Sequence, residues 1–277
     1  MINTLKIGDK TVNRMGFGAM RITGDGIWGP PDDHDEAIAV LKRAVELGVN
    51  FIDTSDAYGP EVSENLIHEA LYPYKDILIA TKGGLTRTGP GMWPPDGRPE
   101  HIREACEGSL KRLGLEQIEL YQFHRPDPKV PFTETLATFF ELQKTGKVKH
   151  VGLSNVNLEQ LMIAREMGEI VSVQNRYSLF DRASEDLLEY CEQNGIAFIP
   201  WYPIGGRQGS YGDKLLQTIA SRHNSSTRQV AIAWLLQHSP STLPIPGTGS
   251  VEHLEENMAA AKLELAPEEI EQLNNLG

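Results

Sequence analysis

Short β-branched runs alternate with amphipathic segments from about residue 15 to the end of the chain. Such an alternation of two-residue and roughly 3.6-residue periods marks repeated strand–helix units. The spacing predicts strands at Met15–Ala19, Asn50–Thr54, Ile77–Lys82, Ile118–His124, Val148–Ser154, Ser172–Asn175, Ala197–Pro203 and Leu243–Pro246. Between them lie helices such as Asp35–Leu47, in which Ala37, Val40, Leu41, Ala44 and Leu47 recur at helical spacing and Gly48 supplies the stop. Pro131–Thr145 and Ser184–Gln193 repeat the scheme, closed by Gly146 and, after Asn194, by Gly195.

Eight strands in regular alternation with helices predict an α/β fold, a (β/α)8 TIM barrel. No low-complexity linker interrupts the pattern, so residues 1–277 are expected to form a single domain. Ahead of the first strand, Leu5–Ile7 and Thr11–Asn13 flank Gly8-Asp9-Lys10, which predicts an N-terminal β-hairpin at the barrel's bottom. Ser225–His238 predicts a helix additional to the eight, and Pro267–Asn275 a terminal one.

Charge narrows the partners: 26 Lys and Arg against 38 Asp and Glu give a formal charge of −12, which repels phosphate backbones and anionic lipid alike. Neither nucleic acid nor membrane is expected as a partner. Cys106 and Cys191 stand far apart in helix-like segments without metal-type spacing, and read as buried free thiols. With no apolar run of signal-peptide length at the start, a reducing cytoplasm is the expected compartment.

In a barrel of this kind reactive side chains gather where strands end at the C-terminal edge. The second predicted strand runs through Asp53 towards Tyr58, the third ends at Lys82 and the fourth at His124. Carbonyl reduction needs an acid to protonate the alkoxide as hydride arrives, and a phenol serves if its pKa is drawn down. Lys82 is expected to do this, Asp53 to keep that cation charged, and His124 to orient the carbonyl oxygen. Singly, each residue is as well explained as a helix cap, a surface aromatic, a solvated charge or a strand-end histidine. Their convergence on adjacent strand ends is what points to chemistry. A metal-dependent hydrolase using Asp53, Asp56 and His124 is disfavoured, because no HxH pair ends the first strand, and no metal is expected.

A nicotinamide cofactor needs amide partners for its carboxamide and a flat face behind its ring. Ser154, Asn155 and Gln174 stand at the fifth and sixth strand ends. Gly205-Gly206-Arg207-Gln208-Gly209 offers open amides and a cation to a pyrophosphate, and Gly247-Thr248-Gly249-Ser250 leads into a helix near Val251 whose first amides suit a phosphate. Gly16-Phe17-Gly18 is not a dinucleotide fingerprint, since Arg21 stands where its third glycine belongs.

The stretch Val49-Asn50-Phe51-Ile52-Asp53-Thr54-Ser55-Asp56-Ala57-Tyr58-Gly59 resembles the signature of the aldo-keto reductase family. Lys82, His124-Arg125-Pro126-Asp127, Val151-Gly152-Leu153-Ser154-Asn155, Val173-Gln174-Asn175 and Ile245-Pro246-Gly247-Thr248 follow in that family's order, so the resemblance covers essentially the whole chain. It implies an NADP-dependent oxidoreductase that reduces small aldehydes or ketones to alcohols. Asp53, Tyr58, Lys82 and His124 would be its catalytic tetrad, with Tyr58 as general acid. Cofactor contacts are implied at Gly18, Met20, Asp53, Ser154, Asn155, Gln174, Pro203, Ile204 and Gly205, with Trp201, or Tyr202 one place on, stacked on the nicotinamide. Further contacts are implied at Ile245, Gly247, Thr248, Ser250, His253, Glu256 and Asn257. Gly247 and His253 depart from family members that carry Lys and Arg against a 2′-phosphate, so NADP(H) is the preferred cofactor with NAD(H) as the alternative.

Gly24-Asp25-Gly26-Ile27-Trp28-Gly29-Pro30-Pro31 and Ala70-Leu71-Tyr72-Pro73-Tyr74 resemble the bacterial pyridoxal reductase subgroup, which adds pyridoxal to the candidate substrates. Tyr58, His124, Trp28 and Trp93 are the implied substrate contacts, and a monomer is expected. The family also resembles cytoplasmic subunits of potassium channels, so a regulatory, cofactor-binding role is the rival reading.

Overall fold

The computed structural model describes residues 4–205 and 213–276. Its first two strands, β1 (Thr4–Ile7) and β2 (Lys10–Asn13), form the expected antiparallel hairpin. Gly8 turns it with a positive φ and leaves no room for a side chain, because a Cβ there would collide with the His150 imidazole.

Seven parallel strands follow in sequential order: β3 (Phe17–Gly18), β4 (Phe51–Asp53), β5 (Leu78–Gly83), β6 (Ile118–Phe123), β7 (Val148–Ser154), β8 (Ile170–Gln174) and β9 (Ala197–Phe198). The stave expected at Leu243–Pro246 is present as a seam rather than a regular strand. Phe198 donates to Ser241 O at 2.9 Å, Leu243 donates to Phe198 O at 2.8 Å, and Gly16 donates to Pro244 O at 3.0 Å. Those bonds join both edges of the curled sheet and close the barrel. Pro244 and Pro246 have no N–H to give, so the segment cannot extend a ladder. Pro200 and Pro203 act likewise on the seventh stave, which is regular only over Ala197–Phe198 instead of the expected Ala197–Pro203. The first stave is also shorter than expected, since a 3-10 turn begins at Ala19.

Helices wrap the outside: α1 (His34–Glu46), α2 (Val62–Leu71), α3 (Pro99–Leu113), α4 (Phe132–Lys144), α5 (Leu158–Met167), α6 (Glu185–Gln193), α7 (Lys214–Arg222), α8 (Thr227–His238), α9 (Val251–Ala259) and α10 (Pro267–Asn274). Their starts are chemically marked. Asp33 caps α1 by accepting from Glu36 N, Ser226 and Gln229 form a capping box on α8, and Ser250 caps α9. Among the described residues no helix is long and apolar enough to cross a membrane. Cys106 and Cys191 are free and buried, and burial pushes both thiols up to about 12.

Inside the barrel, Phe51, Ala80, Leu120, Val171, Ile199 and Leu243 pack with Ile7 and Val12, so the hairpin plugs the bottom with its apolar face. Arg14 secures the seam from below. Only 5% exposed, it donates to Thr242 O, Leu236 O and Ser239 O and to Thr242 Oγ1, tying the last stave to the end of α8. Arg14→Met removes the donors but keeps the bulk, taking the Arg14 donor from Thr242 O and Leu236 O while Ser239 O keeps Thr242 Oγ1. Each bond to a charged donor contributes about 1.5–3 kcal/mol, and non-additivity keeps the expected loss near 3 kcal/mol, to be read from the urea midpoint. A loss below about 1 kcal/mol would mean that the seam closes without Arg14.

Candidate active site

Three adjacent strand ends bring the four predicted side chains together. Lys82, on β5 and 0% exposed, donates from Nζ to Asp53 Oδ2 at 2.6 Å, Thr54 O at 2.9 Å and Tyr58 Oη at 3.1 Å. Asp53 ends β4, and its other oxygen accepts from Gln122 Nε2 at 3.0 Å and Gln174 Nε2 at 2.7 Å. The buried ion pair is thus satisfied on both partners, the condition under which such a pair persists. His124 follows β6 with its ring edge-on to Tyr58, centroids 5.9 Å apart, and Trp93 meets Tyr58 from another side at 6.2 Å.

Burial alone would lower the Lys82 pKa, yet Asp53 and Tyr58 outweigh it and hold the ammonium charged. For Tyr58 the expectation is reversed: burial raises the phenol's pKa by more than Lys82 lowers it, and Asp53 adds to the rise. A one-charge argument omits the cost of placing a phenolate in a dry wall. Tyr58 therefore keeps its proton at neutral pH. Burial, with Lys82 and Arg125 behind it, holds His124 well below the usual histidine range, so its imidazole is neutral.

These groups line one end of a cavity of about 590 Å³. Of the predicted contacts, Gly18, Met20, Asp53, Tyr58, Trp93, His124, Ser154, Asn155, Gln174, Trp201, Pro203, Ile204, Ile245, Gly247, Thr248, His253 and Asn257 are on its wall, as is Tyr202. Gly205, Ser250, Glu256 and Trp28 are not among its lining residues. Ser250 is occupied as the cap of α9, and the Glu256 carbonyl accepts from Gln229. Residues 206–209 of the glycine-rich loop lie outside the described residues.

Trp28 is set back from the cavity by its neighbour. It stands 37% exposed behind Arg87, whose guanidinium lies 5.5 Å from its ring and 3.6 Å from that of Trp93, while Ile27 faces the cavity. Arg87 also donates to the carbonyls of Ile27, Ala57 and Met92, pinning two loops beside Tyr58. Nothing in the periodicity marks Arg87. Gln122 was legible: it precedes His124 by two residues on one strand and so shares its face.

Several polar groups assigned to the cofactor are already engaged. Asn155 adopts a positive φ that asparagine tolerates, and its Nδ2 donates to His124 O and to Ser154 Oγ, each at 2.9 Å. Gln174 spends its amide on Asp53 and presents a side to the cavity. Gly18 and Gly247 are demanded by backbone crossing, since a Cβ at Gly247 would run into Gly18 O. At the far end, Arg21 and Arg228 line the cavity beside His253, without an ion pair among the described residues. The one metal-like cluster found among those residues is Asp9, Glu119 and His150, at the hairpin end, where Lys149 and Lys10 already neutralise the carboxylates.

The profile of the Aldo/keto reductase family matches residues 14–277. Over 274 residues, 99% of this chain and 90% of the relative, the sequence is 52% identical to an uncharacterized oxidoreductase of Schizosaccharomyces pombe. It is 43% identical over 282 residues to the pyridoxine 4-dehydrogenase of Escherichia coli, covering 99% and 98% of the two chains. A thermostable aldo-keto reductase solved with the inhibitor epalrestat superposes with a TM-score of 0.87 at 30% identity, covering 99% of this chain and 100% of that one.

Proposed function

The chain belongs to the aldo/keto reductase family, and from that membership we propose that it reduces small aldehydes to alcohols, with Tyr58 as the proton donor and NADPH as the preferred cofactor. The observation that carries this reading is the contact of a buried, charged Lys82 with Tyr58 Oη at 3.1 Å, beside a neutral His124.

A reduced nicotinamide, when bound, supplies the hydride. The cavity suits it: the polar ends of β7 and β8 lie beside Trp201 and Tyr202, and Arg21, Arg228 and His253 lie at the far end, where Val251 N, which opens α9, is already taken by Glu36 Oε1. Ser154, Asn155 and Gln174 would hold the carboxamide, and Trp201 would back the ring. Towards the carbonyl oxygen, Tyr58 offers a phenolic proton that Lys82 helps it release once negative charge develops beside it. Lys82 stays charged through that transfer because Asp53 faces it at 2.6 Å. Trp93, braced by Arg87, gives a flat apolar wall suited to a planar aldehyde.

The name of the Escherichia coli relative makes pyridoxal the first aldehyde to test. Oxidation of NADPH is followed in the presence of an aldehyde panel that includes it. Binding of cofactor without turnover on any member would overturn the reading and favour a regulatory subunit.

Arg21 and Arg228 are proposed to read the 2′-phosphate in place of the Lys and Arg that Gly247 and His253 lack. A charge-assisted contact contributes about 1.5–3 kcal/mol, so Arg228→Ala should raise the Kd of NADPH by about 10-fold or more and that of NADH by less than about 2-fold. Fluorescence titration of both cofactors checks this. Equal losses would place Arg228 on some other part of the cofactor.

A further inference from the structure

Between Asp53 and Tyr58 the loop carries two polar residues to which the proposed chemistry assigns nothing. Ser55 Oγ lies 3.2 Å from His124 Nδ1 and 3.0 Å from Asp56 Oδ1, and accepts from Ala57 N at 3.1 Å. No partner among the described residues meets the other ring nitrogen of His124, whose residue lines the cavity.

We propose that Ser55 and Asp56 are positioning residues which set the tautomer of His124, and thereby decide whether its cavity-facing nitrogen donates or accepts a hydrogen bond. This inference rests on the reductase reading for its consequence but not for its geometry.

A hydroxyl has one hydrogen and two lone pairs, and Ala57 N–H takes one of those pairs. Lys82 O, at 3.5 Å, is a third and longer acceptor for the serine hydrogen; two arrangements satisfy Asp56 and His124 through the shorter contacts. With Asp56 protonated, its O–H fills the second pair, Ser55 donates to His124 Nδ1, and the imidazole hydrogen must sit on Nε2. That is the form able to donate to a carbonyl oxygen. With Asp56 ionised, the serine hydrogen turns to the carboxylate, Ser55 accepts from His124 Nδ1–H, and Nε2 becomes a bare acceptor facing a substrate that has no hydrogen to offer. Passing from the first state to the second releases one proton, from Asp56, while the imidazole hydrogen exchanges between its two nitrogens and the ring stays neutral.

The surroundings place this change in a useful range. Burial first, and then the carboxylate of Glu64 on α2, push the Asp56 carboxyl up to about 7, against opposing pulls from Ser55 and from Arg112 on α3. Glu64 itself is held in place by Thr81 Oγ1 at 2.5 Å and Arg112 Nε at 2.6 Å. From β6, Tyr121 also faces this pocket with a buried, unpartnered hydroxyl, and Cys106 of α3 stands beyond it. Burial raises both of those groups above their ordinary values, so they stay neutral where Asp56 titrates. Lys82 and Tyr58 lie on the other side of Ser55, and Tyr58 feels the Asp56 charge.

The test reads the tautomer directly. The full chain is labelled with 15N-histidine, the His124 ring is assigned by its loss in His124→Asn, and ring 1H–15N correlations are recorded from pH 5.5 to 8.5. Wild type should pass from Nε2–H towards Nδ1–H through a midpoint near 7, whereas Asp56→Asn and Ser55→Ala should each show a tautomer that no longer follows pH. In parallel, kcat/KM for aldehyde reduction should fall about tenfold between pH 6 and pH 8 in wild type, and less than about twofold in Asp56→Asn. A wild-type tautomer indifferent to pH, or a pH response that persists in Asp56→Asn, overturns the proposal. If the tautomer switches as described while no aldehyde turns over, the relay stands and the reductase reading falls.

Discussion

Tyr58→Phe is expected to reduce aldehyde turnover by about 100- to 10,000-fold while changing the Kd of NADPH by less than about 2-fold, the range spanned by loss of a general acid. The phenylalanine ring fills the same space against His124 and Trp93, so the edge-on packing of the wall survives. What disappears is the hydroxyl at 3.1 Å from Lys82 Nζ. Because burial keeps the Tyr58 proton in place at neutral pH, the acid is ready before substrate arrives. In Asp56→Asn, where the proposed His124 switch is removed, activity limited by that proton should therefore persist through the neutral range and fail only above the ordinary tyrosine pKa of about 10. Single-turnover rates with saturating cofactor separate the step from release, and a variant within tenfold of wild type would show that another group delivers the proton.

Lys82→Met should have the largest combined effect. The substitution keeps an unbranched side chain but removes the cation from a site with no solvent exposure, and Asp53, 2% exposed, is left with two amide donors and no counter-charge. Breaking one half of a buried pair costs about 3–5 kcal/mol. Turnover should drop by at least about 1,000-fold, since the phenol then faces a buried carboxylate without the ammonium between them. The pair's contribution in wild type has a defined pH window. The folded-state pKa of Lys82 lies above its ordinary value of 10.5, so that stabilisation is complete below about 10.5 and is lost as pH climbs through the raised value. Urea midpoints at pH 7 for Lys82→Met and for Asp53→Asn with Lys82→Met provide the check. If the double variant is no more stable than the single one, the stranded carboxylate is not the source of the loss.

How far the sequence spoke depended on whether a signal was local. β5, β6 and β7 are buried along nearly their whole length and lie close to their expected places, and the short motif from Asp53 to Tyr58 leads to the site together with Lys82 and His124. The last two staves read poorly, because Pro200, Pro203, Pro244 and Pro246 permit an extended backbone while withholding the donors that make a ladder. Trp28 lies off the cavity wall for a different reason. An aromatic near a site suggests a wall, but Arg87, 59 residues further on, stands between it and the neighbouring loop, a relation no spacing encodes. The direction of the Tyr58 shift needed burial as well as charge. Helix α7 drew no expectation, although Asp213 caps it.

The seam formed by residues 241–245 bears on how the chain acquires its shape during synthesis. Each of β4 to β8 meets partners made shortly before or after it, so a curled, open sheet can assemble as translation proceeds. Its two rims cannot meet until Pro244 has emerged, because the bond between Gly16 N and Pro244 O spans most of the chain, as does the grip of Arg14 on Thr242. Until then Phe51, Ile199 and the inner face of the hairpin lack the residues that finally cover them. Closure is therefore a late event with a long loop to close, and the half-built cylinder presents sticky apolar rims for nearly the whole of its translation.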